Sequence, residues 1–319
     1  MNPLITIGIT CFNSRDTILR ALNSALSQDW ENLEIIVVDD FSADDSATIV
    51  ESAIADQKIV RLIRHEKNTG PGGSRNTILD NAHGEFVVFF DDDDESLPGR
   101  VRVQYETLRE YENKTDVRLV ACYASGVRRY PNGYELEVPA IGSQADIPKG
   151  ELVADYLLFN DRKDGVFYGA GTPTCSLMAR LSTFRALEGF DSSLRRVEDV
   201  DFAIRLALAG GHFIGCAQKL FIQYATFDSD KTPIKNLEAE LRIVDKNAEY
   251  LRRRNRYDYA RNWFRIRYYH FSGQRLKFLT ALTIFLVRYP VSGTRHLMRS
   301  FPGRWAHERS MRAKTDMTR

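Results

Sequence analysis

Across residues 4–123, short apolar runs alternate with segments of helical spacing. This alternation narrows the fold more than any other property of the chain. Leu4–Thr10 carries Ile5, Ile7 and Ile9 in alternation, as a strand does. Leu33–Val38, Val60–Arg64, Phe86–Phe90 and Leu119–Tyr123 are further short apolar runs, of the kind found in strands buried on both faces. Between them, Thr17–Leu26, Ser46–Ala55, Ser74–Ala82 and Leu97–Tyr111 have helical spacing. Strands alternating with helices predict βαβ units, hence an α/β fold with a mostly parallel sheet and helices on both faces. Ligands of such sheets bind beyond the carboxyl ends of the strands, so the residues just after each strand become the candidates.

The rest of the chain is less regular. Residues 126–168 are rich in Gly, Pro and charge and predict loops and a hairpin. Cys175–Met178 predicts a strand, Ser182–Leu187 a short helix, and Val200–Ala209 a helix closed by Gly210–Gly211. From Ile234 onward the pattern is helical and basic. A length of 319 residues suits one large α/β domain with an appendage. The expected division is a catalytic domain over 1–233 and a helical basic region over 234–319.

Composition excludes several classes. The 43% hydrophobic and 27% charged content is globular rather than disordered or collagenous. Cys11, Cys122, Cys175 and Cys216 form no CxxC, which argues against a zinc ribbon, a thioredoxin-type site or a disulfide scaffold. The opening MNPLITIGIT has neither the basic stretch nor the cleavage site of a secretory leader, and the expected location is the cytoplasm. The net charge of +1 conceals a split: residues 251–319 hold 17 Lys+Arg against 3 Asp+Glu, and the remainder holds 27 against 40. A basic tail on an acidic body points to an anionic partner or to self-neutralisation by packing. Phe278–Val287 is apolar but too short to span a bilayer. With basic flanks and Trp263, Phe264, Tyr268, Tyr269, Phe271 and Trp305, it fits either a helix in the membrane interface or a packed core helix. The tail equally suits a dimer contact, so an oligomer is open. No nucleic-acid reading motif is present and no nucleic-acid partner is expected.

Four segments carry chemistry. Asp91-Asp92-Asp93-Asp94 comes directly after the run FVVFF. Carboxylates crowded at a ligand edge repel one another, and oxygen donors favour Mg²⁺ or Mn²⁺ with a diphosphate. Asp39-Asp40 comes after EIIVV at the same edge, where a carboxylate accepts from a base or ribose or merely opens a turn. In Asn68–Asn76, glycines at a helix start let backbone approach a phosphate, and Arg75 adds a cation. Glu198-Asp199 heads a helix, where acids suit the dipole but also suit a general base.

Together these segments resemble a family 2 glycosyltransferase of the GT-A nucleotide-sugar fold, over roughly residues 4–225. The resemblance rests on ITIGITCFN, SALSQDWENLEIIVVDDFSADDS, NTGPGGSRNTILDNAHGEFVVFFDDDD and GFDSSLRRVEDVDFAIRLALAGG, in that order. It implies that Thr10, Asp39 and Asp40 hold the nucleoside, most often uridine. It places Gly70, Arg75, Asp91 and Asp92 along the nucleotide sugar. Asp91 and Asp93 correspond to the DxD pair that binds Mn²⁺ or Mg²⁺, with Asp93 the direct ligand. Asp199 corresponds to the catalytic base and Glu198 to its support at the acceptor, while Trp30 and Phe190 are structural. The implied reaction inverts configuration and moves a sugar from a nucleotide-diphosphate donor to a glycan or lipid-linked glycan. The basic, aromatic tail, residues 251–319, adds the expectation of a peripheral site on the cytosolic membrane face. The alternatives are transfer to a polyprenyl phosphate, whose anionic acceptor needs no base, and a nucleotide-sugar-binding protein without turnover. Many relatives have a histidine on a late strand near LFIQYATFD (220–228), where this chain has none; His212 lies close by and reads as structural.

Overall fold

The computed structural model describes residues 2–144, 146–225, 232–299 and 311. The chain separates into two compact units. The first comprises Met1–Arg129, Glu137–Ala154 and Lys163–Tyr224; the second comprises Tyr130–Leu136, Asp155–Arg162 and Ala225–Arg319.

The alternation from β1 (Ile5–Cys11) runs through α1 (Ile18–Leu26), β2 (Leu33–Asp39), α2 (Ser46–Ala53), β3 (Val60–Arg64), α3 (Gly70–Asn81) and β4 (Phe86–Asp91). Next are β5 (Glu95–Ser96), α4 (Arg100–Thr115), β6 (Val120–Arg129) and β7 (Glu135–Val138). Then come α5 (Glu151–Phe159), β8 (Leu177–Arg180), α6 (Leu181–Ala186), α7 (Glu198–Leu208) and β9 (His212–Tyr224). The sheet path is β3-β2-β1-β4-β8-β6-β9-β5. Its first four strands are all parallel, as the alternation requires. β8 then runs antiparallel to both β4 and β6, so the sheet is mixed beyond β4. Ile5, Ile7 and Ile9 of β1 and Phe86 and Val88 of β4 are fully buried, each worth about 1.5–3 kcal/mol. α1 covers them with Ile18, Ala21, Leu22 and Ala25, the i, i+3, i+4, i+7 face of a helix.

Register matters more for the site than the core does. Thr10 pairs with Val38 on one side and Asp91 on the other, and Cys11 pairs with Asp39. The last residues of β1, β2 and β4 therefore stand side by side at one edge.

The segment 126–168 holds the expected hairpin, β6 to β7, closed by Tyr130 N donating to Tyr134 O (2.9 Å). Several elements differ from expectation. The same segment also holds the helix α5. β6 extends six residues past Tyr123 and pairs with β9 through register shifts around Ser125. α3 starts at Gly70, four residues before the apolar spacing begins.

The second unit is helical: α8 (Pro233–Lys246), α9 (Ala248–Arg253), α10 (Tyr257–Phe271), α11 (Arg275–Arg288) and helical residues 290–299. Tyr259 and Trp263 of α10 pack on Phe285 of α11 at ring distances of 4.8 and 5.8 Å. Phe285 is buried, but Leu276, Leu279, Ile284 and Val287 of α11 are exposed. The apolar run thus divides between a packed face and an open one. Trp305 and the basic residues beyond 299 lie outside the described residues. Among the described residues, no helix is long and apolar enough to cross a membrane.

Candidate active site

Each chain segment leaving the parallel edge is bent by a left-handed residue: Asn13 after β1, Phe41 after β2 and Gly70 after β3. The turns hold short polar side chains over the strand ends. Asp92 closes the arrangement from β4 by accepting from Phe12 N (2.9 Å). Thr10 sits next to last in β1, between Val38 and Asp91.

Asp39 and Asp40 have separate tasks. Asp40 Oδ1 accepts from Thr69 N (2.7 Å) and Thr69 Oγ1 (2.9 Å), and Oδ2 accepts from Gly70 N (2.8 Å). His65 Nδ1 lies 2.8 Å from the same carboxylate. Asp40 therefore caps α3 and ties it to β2. Asp39 Oδ2 accepts from Ser42 N (3.2 Å), whereas Oδ1 is buried with no hydrogen-bond partner among the described residues. An unsatisfied buried carboxylate oxygen costs enough that a ligand donor is its natural complement.

The glycine-rich segment also departs from the sequence expectation. At its helix start the N–H groups of Thr69 and Gly70 are already taken by Asp40. Gly70 has φ +80° and lies under the Arg195 side chain, and a Cβ on Gly72 would sit 3.2 Å from Asp191 O. The glycines serve a close approach of residues 191–195 rather than an open phosphate cradle. Arg195 donates to both Asn68 Oδ1 and Asn68 O, locking that approach.

Within the four acids the environments differ. Asp91 is half-buried, with Arg75 Nη2 3.5 Å from its Oδ1. Burial, then the charges of Asp93 and Asp91, push Asp92 up to about 7. Asp93 accepts from Arg20 through its backbone carbonyl. Burial and the charges of Asp91 and Asp93 push Asp94 up to about 8. Asp94 Oδ1 accepts from Tyr224 N (3.1 Å), and Oδ2 is buried without a hydrogen-bond partner among the described residues. Donor atoms of Asp91, Asp94 and Cys175 all lie within 4.8 Å of one another. Burial holds the Cys175 thiol well above its usual range, so it stays a neutral thiol, a poor ligand for a hard cation. The carboxylates fit Mg²⁺ or Mn²⁺: clustered oxygens, mutual repulsion and an orphaned Asp94 oxygen are what a divalent ion would relieve.

The facing acids come from α7. Its N-cap, Val197, has φ 60° and ψ 18°. A β-branched residue there is strained by about 1–3 kcal/mol. The kink starts the helix at Glu198 and sets the two acids in its first turn. Glu198 is buried and paired with Arg75 Nη1. Arg75, itself buried, reaches both Glu198 and Asp91 and lies over the Phe190 ring at 5.5 Å. The arginine expected along the diphosphate is thus the bridge between the acid run and α7. Asp199 is half-buried, and burial and the Glu198 charge push it up to about 6 against the pull of Arg75.

Sequence reasoning placed Asp94 in the acid run without a role of its own and missed Arg100 and Tyr224. Arg100 is fully buried, donating to Ser96 Oγ (2.8 Å), Phe89 O (3.0 Å) and Gln104 Oε1 (3.0 Å). It lies within electrostatic reach of Asp91 and Asp94, and burial lowers its pKa to about 10. No local signal distinguishes it from a surface helix arginine. Tyr224, on the late strand, donates to Glu95 Oε2 (2.9 Å) beneath Arg20. Thr226–Asp228 of that stretch lie outside the described residues. His212 is bonded to Tyr111 (2.7 Å). Trp30 donates to Pro3 O (3.1 Å), and Phe190 stacks on Phe202 in the core.

Comparison with known proteins agrees with this layout. The chain is 43% identical over 104 residues to succinoglycan biosynthesis protein ExoO of Rhizobium meliloti, covering 33% of this chain and 29% of that protein. It is 37% identical over 109 residues to the Campylobacter jejuni GalNAc(5)-diNAcBac-PP-undecaprenol beta-1,3-glucosyltransferase, covering 34% and 35%. The matches therefore span about a third of these curated relatives. The fold is similar to S. aureus TarS 1-349, solved in complex with UDP-GlcNAc, with a TM-score of 0.60 and 19% identity, covering 88% of this chain and 80% of that one. The sequence model of Glycosyl transferase family 2 matches residues 6–175, and the chain belongs to that family.

Proposed function

We propose that this chain is an inverting, metal-dependent glycosyltransferase that moves a sugar from a nucleotide-diphosphate donor, a UDP-sugar, to a hydroxyl of a glycan or lipid-linked glycan. The observation that carries the reading is the Asp91–Arg75–Glu198 link, which joins the acid run to the α7 pair that includes Asp199. It brings donor and acceptor chemistry to one edge. The names of the relatives, a succinoglycan biosynthesis protein and an undecaprenol-linked glucosyltransferase, support the acceptor class.

In this reading Asp39 Oδ1 accepts a hydrogen bond from the nucleobase, and Thr10 flanks it. Asp40 and Gly70 fix the loop that walls the nucleotide. Asp91 and Asp93 would hold Mn²⁺ or Mg²⁺, and the charge of the ion would draw the raised Asp92 and Asp94 towards their ionised forms. The bound ion would supply charge stabilisation to the leaving diphosphate. Asp199 removes the proton of the acceptor hydroxyl as its oxygen attacks the anomeric carbon. The bond to the diphosphate oxygen breaks on the opposite side, and the configuration inverts. A base with its pKa near 6 is ionised at neutral pH yet basic enough to accept the proton. Glu198 and Arg75 set its charge and position.

Thermal melting with UDP, GDP, dTDP and CDP, each with and without Mn²⁺, tests the reading. At about 100 times its dissociation constant a ligand adds roughly 2.7 kcal/mol of stability. A Mn²⁺-dependent shift with UDP is expected; no shift with any diphosphate would overturn it.

A further inference from the structure

A cavity lies wholly within the helical unit. Its volume is about 390 Å³, and Arg256, Arg288, Arg295 and Arg299 line it. Asp161 lines it too and Asp258 pairs with Arg288 (3.0 Å), so among the described residues the lining carries more guanidinium than carboxylate groups. Arg256 lies over the rings of Phe159 and Tyr259, at 5.8 and 5.1 Å, which fixes its direction. Arg299 donates to Arg162 O (2.9 Å). The wall is His296, whose Nδ1 lies 2.9 Å from Tyr259 Oη. Burial and the charges of Arg267, Arg162 and Arg299 push His296 down to about 3. A buried histidine under that influence reports a positive local potential.

Pro290, Val291, Arg295 and Arg299 also line an adjoining groove of about 520 Å³, which Thr294 and Met298 complete, so apolar side chains stand beside the guanidinium groups. Val291 is 72% and Met298 70% exposed. Leu276, Leu279, Ile284 and Val287 of α11 are also exposed. A pocket with several guanidinium forks matches phosphate oxygens bidentately. An adjoining exposed apolar groove matches a hydrocarbon chain.

We propose that this pocket binds the phosphate of an anionic lipid, with the lipid chain lying along the Val291–Met298 groove. The charge complementarity selects a phosphate, and the exposed Val291 and Met298 beside it select a lipid over a free anion.

The experiment is cosedimentation of the full chain with phosphatidylcholine vesicles, with and without phosphatidic acid, alongside titration with inorganic pyrophosphate. Arg256→Gln/Arg295→Gln removes two charges from the pocket. Arg275→Gln/Lys277→Gln removes two from α11 outside it. Loss of one diffuse surface charge lowers vesicle affinity about fivefold. The pocket variant is expected to lose about tenfold more affinity than the control variant; equal losses would overturn the proposal in favour of diffuse attraction. Met298→Ser, at an exposed position that lines the groove but not the pocket, is expected to weaken vesicle binding and leave pyrophosphate binding unchanged. Pyrophosphate binding as tight as vesicle binding, unaffected by any lipid, would overturn the lipid assignment. So would binding to phosphatidylcholine alone at equal strength. Near-equal melting temperatures of the two double variants establish that both are folded.

Discussion

Asp39 and Asp40 are neighbours at the end of β2, yet four donors surround the Asp40 carboxylate while one oxygen of Asp39 is buried with none among the described residues. Asp40 is part of the architecture; in the proposed reading Asp39 meets the nucleobase. Asp40→Ala is expected to cost about 2 kcal/mol or more, since it uncaps α3 and strands several buried donors. Asp39→Asn is expected to leave the melting temperature nearly unchanged and to weaken UDP binding about tenfold. Melting curves and UDP titration of both variants separate the roles. A reversed pattern would assign the nucleoside contact to Asp40.

Asp199→Asn retains shape but cannot accept the proton. Transfer should fall by about 10²–10⁴ while UDP affinity is unchanged. Radiolabelled-sugar transfer and isothermal titration read the two quantities independently. A fully active Asp199→Asn would remove the base from this mechanism.

The pH profile carries the same assignment. Asp199 acts as a base only when ionised, so kcat/KM should rise with pH through a midpoint near 6. The Glu198 charge is one cause of that raised value, so Glu198→Gln should move the midpoint lower. The same change leaves Arg75 without its closest partner and should lower stability by about 3–5 kcal/mol. A midpoint that stays in place in Glu198→Gln would mean that another group titrates.

Metal dependence should track the acid run. Asp91→Asn and Asp93→Asn are expected to abolish the Mn²⁺-dependent part of the thermal shift with UDP, as chelation does in the unmodified chain. Asp29→Asn, on an exposed carboxylate paired with Arg102, is expected to keep it. Loss in all three would point to a nonspecific charge effect.

His296 makes acid stability a separate readout of the helical unit. Its neutral form is favoured on folding, so the contribution is complete above the unfolded pKa near 6.5. It is then lost as pH falls towards about 3. Between pH 6.5 and 5 the loss amounts to about 2 kcal/mol. His296→Gln should flatten the melting temperature over that range; an unchanged slope would mean that His296 is charged in the folded protein.

Much of this layout is legible in the sequence because its cause is local. Strong apolar runs such as FVVFF can only be buried strands, and the residues just after such a strand must emerge at an edge. That reasoning alone locates Asp39, Asp91 and their neighbours. It does not separate Asp39 from Asp40, because the difference lies in Thr69 and Gly70, about thirty residues away, folding back onto one of them. Arg75 reads as a free cation for the same reason: Glu198 comes from a distant helix. The antiparallel β8 is a tertiary choice, since a short apolar strand carries no sign of its direction. α5 escapes because it is a short apolar run, ELVADYLLF, set among loop-like neighbours, and such a run does not by itself declare a helix. Arg100 escapes because an amphipathic helix normally shows its arginines to water, and here the acids and carbonyls around it make the exception.

Val197 has a consequence for how the acids at the start of α7 are aimed. Glycine could adopt the same backbone without strain, but it could adopt many others as freely. Valine in a left-handed conformation is held there only by everything packed around it. The direction of the Asp199 carboxylate is therefore settled while the chain folds, once in the lifetime of each molecule. In the proposed reaction the entropy of pointing it is then absent from the barrier that an arriving acceptor crosses.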